Sequence, residues 1–254
     1  MNDMVGKVAL ITGAGSGLGK AIARMFAARG ASIVVAEINA EWGSTVAEEI
    51  RASGGEALFV RTDVSSEEDM RAVVETTIST FGQLDFAVNN AAIEGDVLPL
   101  VEQRTDMFQR VIAVNLAGVF FGLKHQIAAM VKRGGGAIVN VASIAGVRAH
   151  PGLAPYVAAK HGVNGLTKTA AIEYGPKGVR VNSVCPGGIK TPQLQRYLDS
   201  APELRAAIID ANPLRRLAEA DEIAEAVVWL CSPASSYVNG HELVVDGGKI
   251  VSDV

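Results

Sequence analysis

In the stretch YVAAK, Tyr156 and Lys160 stand four positions apart with only Val157, Ala158 and Ala159 between them. On a helix such a pair shares one face, with Cβ atoms about 5–6 Å apart. An ammonium at that range favours the ionised form of a phenol. A phenol brought from a pKa near 10 towards 7, about 4 kcal/mol of differential stabilisation, can exchange a proton with an alcohol oxygen. The small residues between the two would leave room for a bound cofactor across the helix face. An ordinary surface pair has the same spacing, so the rest of the chain has to decide.

Other residues with chemical potential are spread along the sequence. ITGAGSGLGKAIA sets Gly13, Gly17 and Gly19 in the spacing G-x-x-x-G-x-G, after a strand-like run and at the start of a helix-like one. Glycines there permit a tight turn, and loop N–H groups beside a helix N-terminus suit a diphosphate. Glu37 ends VVAE, where a carboxylate can accept hydrogen bonds from both adenosine ribose hydroxyls and repel a 2′-phosphate. Ser16 and Ile38 occupy the positions where a 2′-phosphate needs a cation, so NAD is expected over NADP; the bland alternative is a Glu37 merely exposed at a strand end. Asp63, in TDVSSEED, either bonds the adenine amino group or makes an Asx turn ahead of a helix capped by Ser65 or Ser66. Asn89 and Asn90 need buried partners, which a cofactor or neighbouring backbone can supply. Asn115, in VIAVNLAGVFF, is costly unless paired. Ser143 closes a strand shortly before Tyr156 and, by residue type alone, could simply cap a turn.

The elements that must position these residues follow from hydropathy. Strands are expected at 7–12, 32–37, 57–62, 84–89, 136–141, 180–185 and 242–246, with helices near 17–29, 41–53, 66–81, 103–132, 154–174 and 219–231. The strands are nearly all apolar, as burial on both faces of a parallel sheet requires, and their alternation with helices predicts a doubly wound α/β sheet. No linker divides the chain, so one domain over 1–254 is expected. The segment 187–215 lies beyond the sixth strand, where such sheets carry ligands; it is read as a lid over the substrate, against the alternative of an exposed helical excursion.

Composition narrows the function classes. With 49% hydrophobic and 20% charged residues the chain can bury a large core, and 27 glycines exceed the usual share of about 7%. A net charge of −4 without a basic tract argues against nucleic acid or an anionic membrane as partner. Cys185 and Cys231 form neither a disulfide framework nor a metal spacing, which suits a reducing cytoplasm. No signal-peptide pattern is visible at the N-terminus, and the apolar run Val111–Leu123 falls short of the ~18 residues of a membrane span.

Together, TGAGSGLG (12–19), NNAA (89–92), Asn115 in VNLAG, Ser143, YVAAK (156–160), PGGIKT (186–191) and VDGG (245–248) resemble, in order and spacing, the short-chain dehydrogenase/reductase family in its single-domain form. The likeness runs along essentially the whole chain. It implies a Rossmann-type three-layer sandwich with a seven-stranded parallel sheet, and NAD-dependent interconversion of a secondary alcohol and its ketone. It implies Tyr156 as general acid/base, Ser143 as holder of the substrate oxygen, Lys160 as ligand of the nicotinamide ribose and support of the tyrosinate, and Asn115 as anchor of a water in a proton relay. Gly13, Ser16, Gly17, Leu18, Gly19, Glu37, Ile38, Asp63, Val64, Asn90 and Ala91 would surround the adenosine and diphosphate, with Pro186, Gly187, Ile189 and Thr191 around the carboxamide. Ala92 stands where the family usually has glycine.

Substrate contacts are expected from Ser143, Tyr156, Glu94, His150, Leu153 and Gly188, of which Glu94 either lines the pocket or faces water. His125, His161 and His241 are scattered, and no metal is expected. Cys185 precedes PGG near the expected nicotinamide, but a buried thiol usually just packs. GLAPYVAAKHGVNGLTKTAAIEYG is similar to family members acting on cyclic alcohols, diols or sugars, and a homotetramer built through the two longest helices and the C-terminal segment is implied. The competing readings are a 3-oxoacyl-thioester reductase, an epimerase or dehydratase with tightly held NAD, and a non-redox NAD-binding regulator, to which the tyrosine would be of no use.

Overall fold

The computed structural model describes residues 3–190, Leu194, Ile209 and 212–252. Seven parallel strands form one sheet in the order β3-β2-β1-β4-β5-β6-β7. They are β1 Val8–Thr12, β2 Ser32–Glu37, β3 Ala57–Arg61, β4 Phe86–Asn89, β5 Gly136–Val141, β6 Val179–Pro186 and β7 Glu242–Val245. Residue alternation explains why these runs are apolar throughout. In β1, Ala9 and Ile11 enter one core while Leu10 enters the other; in β2, Ile33 and Val35 part from Val34 and Ala36 in the same way. Each face of the sheet is covered, so successive side chains are buried on opposite sides.

One covering layer holds α1 Gly17–Ala28, α2 Ala40–Ala52 and α7 Ala220–Cys231; the other holds α3 Glu67–Phe81, α5 Gly118–Arg133 and α6 Ala154–Tyr174. A short α4, Thr105–Ile112, precedes α5. The expected single helix over 103–132 is interrupted by a π turn at Ala113–Ala117, where the Gly118 N–H reaches the Ala113 carbonyl five residues back. Thr105–Arg133 is long and apolar enough by composition to cross a membrane, which Val111–Leu123 alone is not; 44% of its most apolar window is buried within the fold.

The strand order reverses between β1 and β4. That switch point opens a crevice at the strand C-termini, where ligands bind in sheets of this kind. Thr12 and Gly13 stand on one side of it, Asn89 to Ala91 on the other. Most of the expected lid, including Thr191, lies outside the described residues; Ile189, near its start, bridges to Ala218, just beyond its end.

Candidate active site

The glycine loop is built for close backbone approach. Gly13 takes φ +63°, and a Cβ on it would meet Ala91 Cα at 2.9 Å. A Cβ on Gly19 would meet the Gly13 carbonyl oxygen at 2.1 Å. Ser16 is the N-cap of α1 yet makes no side-chain cap bond, so the first-turn amides of Gly17, Leu18 and Gly19 are not capped by it and suit an anion. Glu37, buried at 7% exposure, accepts hydrogen bonds from the N–H groups of Gly15 (3.1 Å) and Asn39 (3.0 Å). It is therefore not a residue merely exposed at a strand end. Ile38 and Trp42, which follow it in sequence, lie exposed. This cradle fits the diphosphate and ribose of a dinucleotide.

Two expected cofactor contacts are engaged within the protein. Asn90 donates through Nδ2 to the carbonyls of Thr12 (2.9 Å) and Gly13 (3.2 Å), so its amide nitrogen is tied to the start of the glycine loop. Asp63 makes the Asx turn: its Oδ1 accepts from the N–H (2.9 Å) and the hydroxyl (2.6 Å) of Ser65, while Ser66 caps α3. Val64 is buried, its carbonyl against Gly118 at the start of α5. Asn89 is satisfied by Gln126 (3.0 Å) and Asn140 (2.9 Å), a buried amide ladder across β4, α5 and β5.

Beyond β5, Ser143 caps a short 3-10 turn, its Oγ accepting from the Ala145 N–H at 3.1 Å. Its hydroxyl also lies near enough to the phenol of Tyr156, on the first turn of α6, to favour the ionised form of that group. Lys160, 2% exposed, passes beneath the Tyr156 ring with Nζ 5.4 Å from the ring centroid, and donates to the Val141 carbonyl at 2.7 Å. The filler residues do not share a face, since Ala159 is buried and Ala158 exposed, so they do not form a shelf for a cofactor.

The electrostatics differ from the expectation drawn from spacing. Burial pushes the Tyr156 phenol up to about 12, opposed by the Ser143 hydroxyl and reinforced by the Glu94 carboxylate. Burial also brings the Lys160 ammonium down to about 8. Depth, which penalises both charged forms, outweighs the mutual attraction of the pair.

Asn115, fully buried in the π turn, accepts from the Ile93 N–H (2.8 Å) and donates to the Ile93 carbonyl (2.7 Å), a strand-like clamp on the loop after β4. π turns often re-aim one side chain at a functional site, and this one fixes the residue before Glu94. His150 is exposed, with Nδ1 3.3 Å from the Pro151 carbonyl. Gly188 accepts from the Ala218 N–H (3.0 Å), and a Cβ on it would meet Leu217 Cδ2 at 2.8 Å. Pro186 ends β6, and the Gly187 N–H donates to the Val245 carbonyl at 3.0 Å. Cys185 packs fully buried against Asn164.

Sequence reasoning missed Thr12 and Gln103. Thr12 Oγ1 accepts from the N–H groups of Asn90 (2.9 Å) and Ala91 (3.2 Å), joining the two sides of the crevice. Gln103 bonds only backbone carbonyls, which leaves no partner residue type to recognise.

Residues 13–249 match a protein family described as enoyl-(acyl carrier protein) reductase. The chain is 45% identical over 249 residues to 2,5-dichloro-2,5-cyclohexadiene-1,4-diol dehydrogenase of Sphingobium indicum, covering 98% of each chain. It is 46% identical over 246 residues to cyclohexanol dehydrogenase of an Acinetobacter species, covering 97% of this chain and 96% of that one. Among solved structures, 7α-hydroxysteroid dehydrogenase complexed with NADH and a 7-oxo bile acid superposes with a TM-score of 0.92 at 37% identity, over 97% of this chain and 95% of that one. The chain belongs to the short-chain dehydrogenase/reductase family. As a short-chain dehydrogenase/reductase it is an alcohol/ketone oxidoreductase whose relatives bind nicotinamide cofactors.

Proposed function

We propose that the protein is an NAD-preferring dehydrogenase of cyclic secondary alcohols. What supports the reading is that Lys160 lies beneath the Tyr156 ring after β5, while at the C-terminal end of the same parallel sheet a glycine loop follows β1 with the Glu37 carboxylate held against it. Gly13, Ser16 to Gly19 and Glu37 would hold the diphosphate and adenosine ribose, with Asp63, Val64 and Ala91 around the adenine side. Pro186, Gly187, Ile189 and Thr191 would flank the carboxamide. Bound NAD supplies the acceptor for the hydride that leaves the alcohol carbon.

The chain's own groups do the rest. Ser143 holds the alcohol oxygen; Lys160, together with the positive charge an oxidised nicotinamide would bring, favours the phenolate of Tyr156, and that phenolate takes the hydroxyl proton as the ketone forms. Asn115 fixes the loop that closes one side of the site and anchors a water towards Lys160. Glu94 and His150 face the substrate. A carboxylate already holding two backbone amides at residue 37 disfavours a second anion beside it, which supports NAD over NADP. The names of the relatives support cyclic substrates. Self-association as a tetramer through α5 and α6 belongs to the same reading: a groove between these helices is lined by Phe120, Leu123, Ile127 and Leu166, and Phe120 is 48% exposed.

The deciding experiment is a spectrophotometric screen of secondary alcohols with NAD and NADP, beside Tyr156→Phe. The variant should lose about 10²–10⁴-fold in kcat while still binding dinucleotide. Equal turnover by the variant on an accepted alcohol would overturn the assignment.

A further inference from the structure

Two loops follow the neighbouring strands β4 and β5 at the end of the sheet that leads into the Tyr156 helix: 90–104 after β4, and 142–153 between β5 and α6. One side chain ties them together. Gln103 Nε2 donates to the carbonyls of Leu98 (2.7 Å) and Gly152 (3.0 Å), with the Asp96 carbonyl at 3.4 Å. The Leu98 N–H donates to the same Gly152 carbonyl at 3.0 Å. An amide nitrogen carries two hydrogens, so the Leu98 and Gly152 bonds use both. The seam is closed by packing as well: Gly152 takes φ +81°, and a Cβ on it would press within 3.0 Å of Val97 Cγ1.

The orientation of this amide is informative. Among the described residues, Gln103 Oε1 is buried without a hydrogen-bond partner. A buried acceptor left unpaired is uncommon, and here the other end of the same amide holds both loops. Gly152 directly precedes Leu153, the N-cap of α6, whose carbonyl accepts from the Val157 N–H at 2.8 Å. The bridge therefore reaches the first turn of the helix that carries Tyr156.

We propose that Gln103 is a substrate-positioning residue, whose amide locks the loop after β4 to the entry of α6 and so sets the width of the mouth through which an alcohol approaches Ser143 and Tyr156. This rests on the Tyr156 cleft being the active site. Gln103→Asn withdraws the amide by one methylene, and Gln103→Met removes it while keeping bulk; the milder Asn variant serves if the Met variant does not fold. With two neutral hydrogen bonds lost, KM for cyclohexanol should rise about 10-fold while kcat changes little. KM for propan-2-ol and the affinity for NAD should stay at wild-type values, because a small alcohol does not need the mouth held to shape. Amide hydrogen exchange should quicken at 95–98 and 150–153 and stay unchanged in the sheet.

A purely structural Gln103 would lower Tm and leave the ratio of the two alcohol KM values untouched, and that result overturns the proposal. Wild type and Tyr156→Phe are run alongside. No turnover of either alcohol by wild type sinks the active-site reading and this proposal with it. Turnover that needs Tyr156 but shows wild-type KM values in both Gln103 variants sinks the bridge alone.

Discussion

The two sides of the crevice are built on opposite electrostatic plans. On the β1–β3 side, charged groups are already partnered: Glu37 holds two backbone amides and Asp63 holds Ser65. On the β5–α6 side, Lys160 is buried with the Val141 carbonyl as its hydrogen-bond partner, and Tyr156 is held neutral well above its ordinary pKa. The contrast separates two tasks. A docking surface gains from being preorganised before its ligand arrives. Groups that exchange protons must instead respond to charge brought beside them, and burial keeps them responsive because little water screens the change.

The sharpest way to break this comparison is Lys160→Met. Catalysis should fall by about 10²–10⁴-fold, yet the folded protein should tolerate the change. In wild type the ammonium sits at about 8 in the folded state against 10.5 when exposed. Between those values the unfolded chain binds the proton and the native one does not, so wild-type stability rises with pH from about 8 to 10.5, and is lost again as pH falls through about 8. The full span is on the order of 3 kcal/mol. The variant lacks this rise but leaves the Val141 carbonyl without a donor, a cost of about 1–3 kcal/mol. Tyr156 and Cys231, both raised to about 12, act in the opposite sense at alkaline pH and cancel in the difference between the two proteins. Urea midpoints of wild type and variant at pH 7 and pH 10 measure it; a pH-independent difference would mean that Lys160 is not charged at a cost.

Glu37→Ser tests the preorganised side. It removes the acceptor for the Gly15 and Asn39 amides and the negative charge beside the ribose position. KM for NAD should rise, and discrimination against NADP should fall by about 10–100-fold, the worth of hydrogen bonds to a charged group. Parallel kcat/KM measurements with both dinucleotides check this. Unchanged discrimination would place the ribose elsewhere.

Legibility in the sequence divides along the same line. The seven strands could be read because both-face burial leaves apolar runs such as VALIT and SIVVAE, and the glycine loop because close backbone contact demands glycine at positions 13 and 19. The π turn could not: it is held by Asn115 pairing with Ile93, a contact that helical periodicity does not register. Asn90 could be placed at the crevice, but its attachment to Thr12 and Gly13 depends on β1 lying next to β4. The displaced pKa values were misjudged because spacing fixes how far Lys160 is from Tyr156 along the helix, while depth, set by the whole fold, decides which charges survive there.

The smallest effect sharpens the comparison most, because it isolates one charge. Glu94 follows the residue clamped by Asn115, and its carboxylate raises the Tyr156 phenol. Glu94→Gln keeps the shape and removes the charge. Alcohol oxidation needs the phenolate, which an adjacent anion disfavours, so removing that anion should move the ascending limb of kcat/KM against pH to lower pH by a few tenths of a unit. Added salt should shrink the gap between wild type and variant, since an exposed carboxylate is open to screening. A shift to higher pH, or one indifferent to salt, would mean that Glu94 reaches the phenol through a structural change and not through its field, and that the loop after β4 belongs with the preorganised side.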